Sequence, residues 1–235
     1  MPAEPATDNP RWQLAERVTD AVRRRFSADV VAIGVHGALA HGDDAEDSPV
    51  DLVVVTDAPG TGPRPATRRI GGVVIDVGVI GAQEYLGHAR TLSTGWPLAA
   101  DQYLTTAATF DPDGWHELLR DTHLARLAEA GTGEFTALAR EAWYVAYSAA
   151  ARARRLAVWH DPDTGLVALS DARVAAAIVD GLLTRTYFRD GPDAVRRTGL
   201  AGVPMGELAE RLTGQAAELA RRGRPVDGQI ADLFS

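Results

Sequence analysis

Cysteine and lysine are both missing from the 235 residues, and methionine occurs only twice. Without Cys there is no disulfide, no thiolate nucleophile and no Cys-ligated zinc. Without Lys there is no Schiff-base chemistry and no Walker-type phosphate lysine; all 24 side chains in the Lys-plus-Arg count are Arg. Long apolar runs are absent too. None approaches the ~20 residues of a spanning helix, and the start MPAEPATDNP lacks the basic and apolar stretches of a secretory signal. We therefore expect no membrane partner and a cytoplasmic location. Positive charge is scarce: 32 acidic side chains give a formal net charge of −8. Phosphate neutralisation needs a clustered basic surface, so no nucleic-acid partner is expected. What is present is ordinary apolar content, 46% of residues, and a length that suits one large domain or two modest ones.

The chain begins with a polar tail, residues 1–8. Asn9-Pro10 predicts a helix start, with Asn as cap and Pro at the first helical position, and apolar residues from Trp12 to Val22 recur at helical spacing through Arg25. Val30–Val35 reads as a buried strand. Gly37 to Ser48 is an acidic, Gly-containing loop in which Leu39-Ala40 can open a short helical turn. Val50–Thr56 is a second apolar strand, interrupted by Asp51. A Pro/Gly-rich connection follows. Arg68–Val79 then has the form of a hairpin around Gly71-Gly72, with Asp76 inside its second strand. Helices are predicted over Ala82–Leu92, from Trp96-Pro97, and from Asp111-Pro112 to just before Gly131, with a short strand at Thr105–Phe110. Composition changes at Gly131, which we take as a boundary between residues 1–130 and 131–235. The second part is helical throughout: Glu134 to about His160, Ser170–Arg189 and Met205–Arg222, with a turn at Asp161–Gly165. The expected class is α+β, a mixed sheet with flanking helices followed by a helix bundle.

Asp51 and Asp76 each interrupt an otherwise apolar strand. A buried carboxylate calls for compensation by a metal, an Arg or hydrogen bonds. If the strands are neighbours, both side chains can converge on one magnesium ion, which prefers oxygen ligands. Two structural carboxylates paired with Arg68 or Arg69 fit the pattern equally well.

The blocks GVHGALAHGDDAEDSPVDLVVV, VVIDVGV, TGWPLAADQYLTT and FDPDGWHELLRDT, with VDGLLTRTYF later, resemble the kanamycin nucleotidyltransferase family of aminoglycoside-modifying enzymes over nearly the whole chain. That resemblance implies a nucleotidyltransferase-type sheet in the first domain. It implies transfer of a nucleoside monophosphate from a magnesium-bound nucleoside triphosphate to a hydroxyl of a small aminated or polyhydroxylated acceptor. It also implies a homodimer with its site between the two domains. Sheet carboxylates would hold Mg²⁺, a Gly-Ser pair would contact the triphosphate, and a Glu of the helical domain would act as general base.

This sequence departs from that pattern at named places. Gly37 matches the Gly of the pair, but Ala38 stands where the Ser should be. Pro49 replaces the first acid of the Asp-x-Asp/Glu pair; Asp51 matches the second acid and Asp76 the third. The turn expected to carry the base reads Tyr144 to Ala149, and the nearest acid, Glu141, lies about two turns early. Arg152 stands in for the basic group that follows the base. Asp43, Asp44 and Asp47, or His36 and His41, are candidates to replace the missing ligand. The candidate catalytic set is Asp51, Asp76, Glu141 and His36, and the candidate binding set is Gly37, His41, Trp96, Gln102, Tyr103, Tyr144 and Arg152. An alternative is a repurposed fold that binds a small molecule, or performs metal-free acid–base chemistry, without nucleotidyl transfer. Trp143, Tyr144 and Tyr147 share one helix face and read first as core or dimer contact. Arg185 and Arg189 read as exposed charge pairs.

Overall fold

The computed structural model describes residues 9–158 and 161–231. The polar tail at 1–8 and His160, where the sequence reading ends a helix, lie outside them. The described residues form two compact units, Met1–Thr91 with Asp101–Glu129, and Leu92–Ala100 with Ala130–Ser235.

The first unit opens with α1 (Pro10–Phe26), capped as expected by Asn9, whose side chain accepts from the Arg11 backbone N–H. Two strands follow, β1 (Val30–His36) and β2 (Val50–Thr56), with the four-residue helix α2 (Ala38–His41) between them. Next comes a hairpin of β3 (Ala66–Ile70) and β4 (Val73–Gly81), turning at Gly71 and Gly72, which both take the positive φ that favours glycine. Helix α3 (Ala82–Ala89) leads on to α4 (Trp96–Thr105), β5 (Ala107–Phe110) and α5 (Trp115–Glu129). The five strands lie in the order β3-β4-β2-β1-β5. β2 and β4 run parallel; the other neighbouring pairs are antiparallel, so the sheet is mixed.

Strand alternation explains the continuous apolar runs of β1 and β2. Ile33, Val35, Leu52, Val54 and Ile75 pack on one face with Trp12, Leu14 and Ala15 of α1. Ala32, Val53 and Val55 pack on the other with Tyr85 and Leu86 of α3 and Trp115 and Leu119 of α5. Both faces of β1 and β2 are covered, and their polar residues His36, Asp51 and Thr56 lie at or next to strand ends.

The second unit is helical: α6 (Thr132–Val158), α7 (Pro162–Thr184), α8 (Gly191–Arg197) and α9 (Met205–Arg221). Ala139, Ala142, Ala146, Ala150 and Ala153 of α6 are buried, as are Ala168, Ala172 and Ala176 of α7. Small residues at spacings of three and four let the helix backbones approach closely. A Cβ on Gly165 would lie 3.6 Å from the Ala157 backbone nitrogen.

Several boundaries differ from the sequence reading. α5 starts at Trp115 rather than at Asp111-Pro112, because Asp111 accepts from the backbone N–H groups of Trp115 and His116 and so caps the helix from outside. α7 starts at Pro162, where a turn running to Gly165 was expected: Asp161 caps through the Thr164 N–H and Pro162 occupies the first turn. It stops at Thr184, short of Arg189, and a further short helix, α8, begins only at Gly191. α3 stops at Ala89, short of Leu92. Among the described residues no helix is long and apolar enough to cross a membrane.

Candidate functional site

Register aligns the strand-borne polar residues. His36 of β1 faces Asp51 of β2, Asp51 faces Asp76 of β4, and Asp76 faces Thr67 of β3. Neighbouring strands lie about 4.8 Å apart and paired residues share a face. His36, Asp51, Asp76 and Thr67 therefore form one polar row across the sheet, on the face that carries α3 and α5. The Thr67 hydroxyl donates to Asp76 Oδ1. Arg68 instead reaches the Thr67 carbonyl at 2.7 Å and Arg69 the Gly72 carbonyl at 3.1 Å, so the alternative in which these arginines pair with the two carboxylates is not what forms.

Gly37 follows directly, with φ 71° and ψ −154°, a conformation essentially confined to glycine. A Cβ there would sit 2.8 Å from Asp51 Oδ2. The bare glycine thus lets backbone lie against the carboxylate. Ala38 opens α2, and Leu39 and Ala40 anchor that turn in the core. His41 ends it, with Nε2 2.9 Å from Asp101 Oδ2.

Electrostatics around the row favour neutral groups. Burial lowers the His36 pKa below 6.5, and attraction to Asp51, then Asp101 and Asp76, offsets this only in part. Burial raises the Asp51 pKa above 3.8; His36 pulls it back down while Asp76 pushes it further up. His36 is accordingly a neutral imidazole at neutral pH, available as a proton acceptor beside the Asp51 carboxyl group.

Asp44 and Asp47 do not fill the position vacated at Pro49. Asp44 is held by Asn9 Nδ2 at 3.1 Å and lies 3.7 Å from Arg11, while Asp47 is exposed. Among the described residues no group of three or more His, Asp or Glu is arranged to hold a metal ion. Asp51 and Asp76 nevertheless fit the one or two carboxylates that magnesium takes from a protein when substrate phosphates supply its other oxygens.

The remaining candidates are dispersed. Gln102 and Tyr103 are partly buried on α4, and Tyr103 packs against the His123 and Tyr85 rings. In the second unit Trp96 is 3% exposed and meets Phe135 edge to face, so it is packing rather than pocket lining. Glu141 is exposed beside Arg140. The Tyr144 hydroxyl donates to the Val226 carbonyl at 2.9 Å. Arg152 lies 3.8 Å from Asp171, both largely exposed. Trp143 is buried with its indole N–H on the Leu212 carbonyl, and Tyr147 stacks on it from the exposed side. Arg185 covers the Phe135 ring and bonds Thr132, where an exposed charge pair was expected.

Two residues of this region received no role from the sequence, although Asp101 lies within the TGWPLAADQYLTT block. Asp101 is 5% exposed, bonds His41, and leaves its other oxygen without a partner. Thr67 was read as part of the Pro/Gly-rich connection. Neither belongs to a recognisable spacing; only the register and the turn of α2 bring them in.

Comparison with protein-family models returns no match, and comparison with curated proteins returns none. Among solved structures, the chain is similar to a nucleotidyltransferase-like protein from Exiguobacterium sibiricum. The identity is 13%, the match covers 88% of this chain and 75% of that one, and the TM-score is 0.43.

Proposed function

We propose that the chain is a nucleotidyltransferase-family protein that binds a small polyhydroxylated or aminated metabolite at the His36–Asp51–Asp76 row, with magnesium-dependent nucleotidyl transfer impaired. The observation that carries this reading is the direct register of Asp51 and Asp76 on parallel neighbours, beside a Gly37 backbone that only glycine allows. Two strand carboxylates next to a glycine turn are the parts that the sequence resemblance requires. Asp51 and Asp76 would hold the magnesium ion, whose positive charge would offset developing negative charge on the phosphates. Ala38 supplies no hydroxyl to a phosphate, and Pro49 supplies no carboxylate. His36 and the unpartnered oxygen of Asp101 are the groups that would accept protons or hydrogen bonds from an acceptor's hydroxyls and amines.

Calorimetric titration with ATP and GTP, with and without magnesium, tests the nucleotide half of the proposal. Weak magnesium-dependent binding is expected, with pyrophosphate release from kanamycin mixtures rising at least about tenfold in the double variant Ala38→Ser, Pro49→Asp. Wild type releasing pyrophosphate as fast as the double variant would overturn the impairment. Absence of nucleotide heat in every combination would instead favour a repurposed site. That second reading draws on one observation, the neutral His36 beside Asp51, a pair suited to acid–base chemistry with no metal.

A further inference from the structure

The short helix α2 carries a histidine back towards the polar row. The His41 backbone N–H donates to the Gly37 carbonyl at 3.2 Å, so the two residues stand one helical turn apart on the same face. A helical side chain tilts towards the N-terminus of its helix. For His41 that direction leads to Gly37, over which Asp51 Oδ2 lies.

Asp101 of α4, in the same compact unit, fixes the ring: Oδ2 lies 2.9 Å from Nε2. An ionised carboxylate only accepts, so the hydrogen of the neutral ring sits on Nε2 and Nδ1 keeps its lone pair. Nδ1 bonds nothing among the described residues, yet it is not closed off from solvent, the His41 side chain being 14% exposed. A ligand can therefore reach it. Asp101 itself is buried, and His41 is its carboxylate's one hydrogen-bond partner among the described residues. Burying a carboxylate against a single imidazole is expensive for folding alone. Its charge also acts on His36, which puts it beside the row. His36 has no orienting bond of this kind among the described residues. An imidazole base held in one tautomer by a carboxylate is the arrangement that proton transfer to a ring nitrogen requires.

We propose that His41 is the general base for nucleotidyl transfer and that Asp101 positions it, in place of the glutamate that the Tyr144 to Ala149 turn lacks; this role rests on the nucleotidyl-transfer reading. Nδ1 takes the proton of the acceptor hydroxyl as the hydroxyl oxygen bonds the α-phosphorus of the nucleoside triphosphate. The bond from that phosphorus to the bridging oxygen of the β-phosphate breaks, and pyrophosphate leaves with the electron pair. The imidazolium so formed faces the Asp101 carboxylate, which stabilises it.

Pyrophosphate release from ATP, magnesium and kanamycin tests the role, measured on the full chain as wild type and as Ala38→Ser, Pro49→Asp, with the Kd for magnesium-ATP read by calorimetry. Added to the double variant, His41→Gln keeps a bond to Asp101 but accepts no proton. It is expected to lower turnover at least about 100-fold and to leave the nucleotide Kd within about twofold. Asp101→Asn, whose amide donates as readily as it accepts, is expected to cost at least about tenfold. Nitrogen NMR with ¹⁵N-labelled histidine should then show His41 passing from one tautomer to a mixture, which a packing role would not produce. A His41→Gln variant as fast as its parent would overturn the base, and so would a nucleotide Kd that weakens in step with the rate, because His41 would then hold phosphate. A wild-type ring with its hydrogen on Nδ1 would overturn the positioning by Asp101. No pyrophosphate from either parent chain would instead overturn the nucleotidyl-transfer reading, and the base role with it.

Discussion

Asp51 is a carboxylate whose charge is opposed by its own surroundings. Burial raises its pKa above 3.8 in the folded chain, so its contribution to stability is fully present below 3.8 and is lost as pH rises through the folded value. At neutral pH the wild type carries a cost that an amide would not. Asp51→Asn is therefore expected to raise the neutral-pH melting temperature. The gain is under about 1 kcal/mol, because the partly exposed charge is screened by solvent, and it shrinks towards zero as pH approaches 3.8. Thermal unfolding of both proteins across that range checks it. Loss of stability at neutral pH would mean that the carboxylate serves a structural bond instead of a ligand. Stability given up at a site for the sake of binding is a common trade.

At the scale of an element, α7 ends on an unusual residue. Arg185 takes φ 53° and is the only non-glycine with positive φ among the described residues. It satisfies the last turn through its backbone N–H to the Gly181 and Leu182 carbonyls. Left-handed backbone costs a side-chain-bearing residue about 1–2 kcal/mol; the guanidinium's position over Phe135 and its bond to Thr132 offset part of that. Two substitutions separate these effects. Arg185→Ala loses the ring contact and keeps the strain, so it should destabilise. Arg185→Gly loses the contact and relieves the strain, and should be more stable than Arg185→Ala by about 1 kcal/mol. Chemical denaturation of the pair measures the difference, and an Ala variant as stable as the Gly variant would remove backbone strain from the account.

Across the whole molecule, three histidines respond to pH in the same sense. His36, His116 and His123 are each held below the ordinary 6.5 by burial. A depressed folded pKa leaves stability intact above 6.5, and stability falls as the unfolded chain takes up protons that the folded chain does not. Each group adds a slope of up to about 1.4 kcal/mol per pH unit below that point. Urea unfolding followed from neutral to mildly acidic pH should show a steady decline that begins near 6.5. A flat profile over that range would mean that these rings are solvated when folded.

How much of this was legible in the sequence depended on whether the information was local. The cap at Asn9, the runs Val30–Val35 and Val50–Thr56, the hairpin around Gly71-Gly72 and the helix from Met205 each follow from spacing and backbone chemistry over a few residues. So does the interruption of two apolar strands by Asp51 and Asp76. Boundaries failed where a residue acted at a distance: Asp111 caps α5 from four residues away, and Asp161 caps α7 through the Thr164 N–H, so that Gly165 falls inside a helix. Side-chain roles failed for the same reason. Trp96 is buried against Phe135, Asp44 is tied to Asn9 and Arg11, and Asp101 reaches His41 across 60 residues.

The sequence by itself determined an α+β chain with apolar strands carrying two acids, a glycine turn between them and a helical second part, since periodicity and turn chemistry are written in neighbouring residues. Only the tertiary structure decided that β4 lies parallel to β2, and with it that Asp51 meets Asp76 while His36 and Thr67 extend the row. It alone grouped residues 92–100 with the helical unit and laid the His116 ring over Gly34. Strand pairing and burial are choices among distant partners, settled by which faces can be covered together.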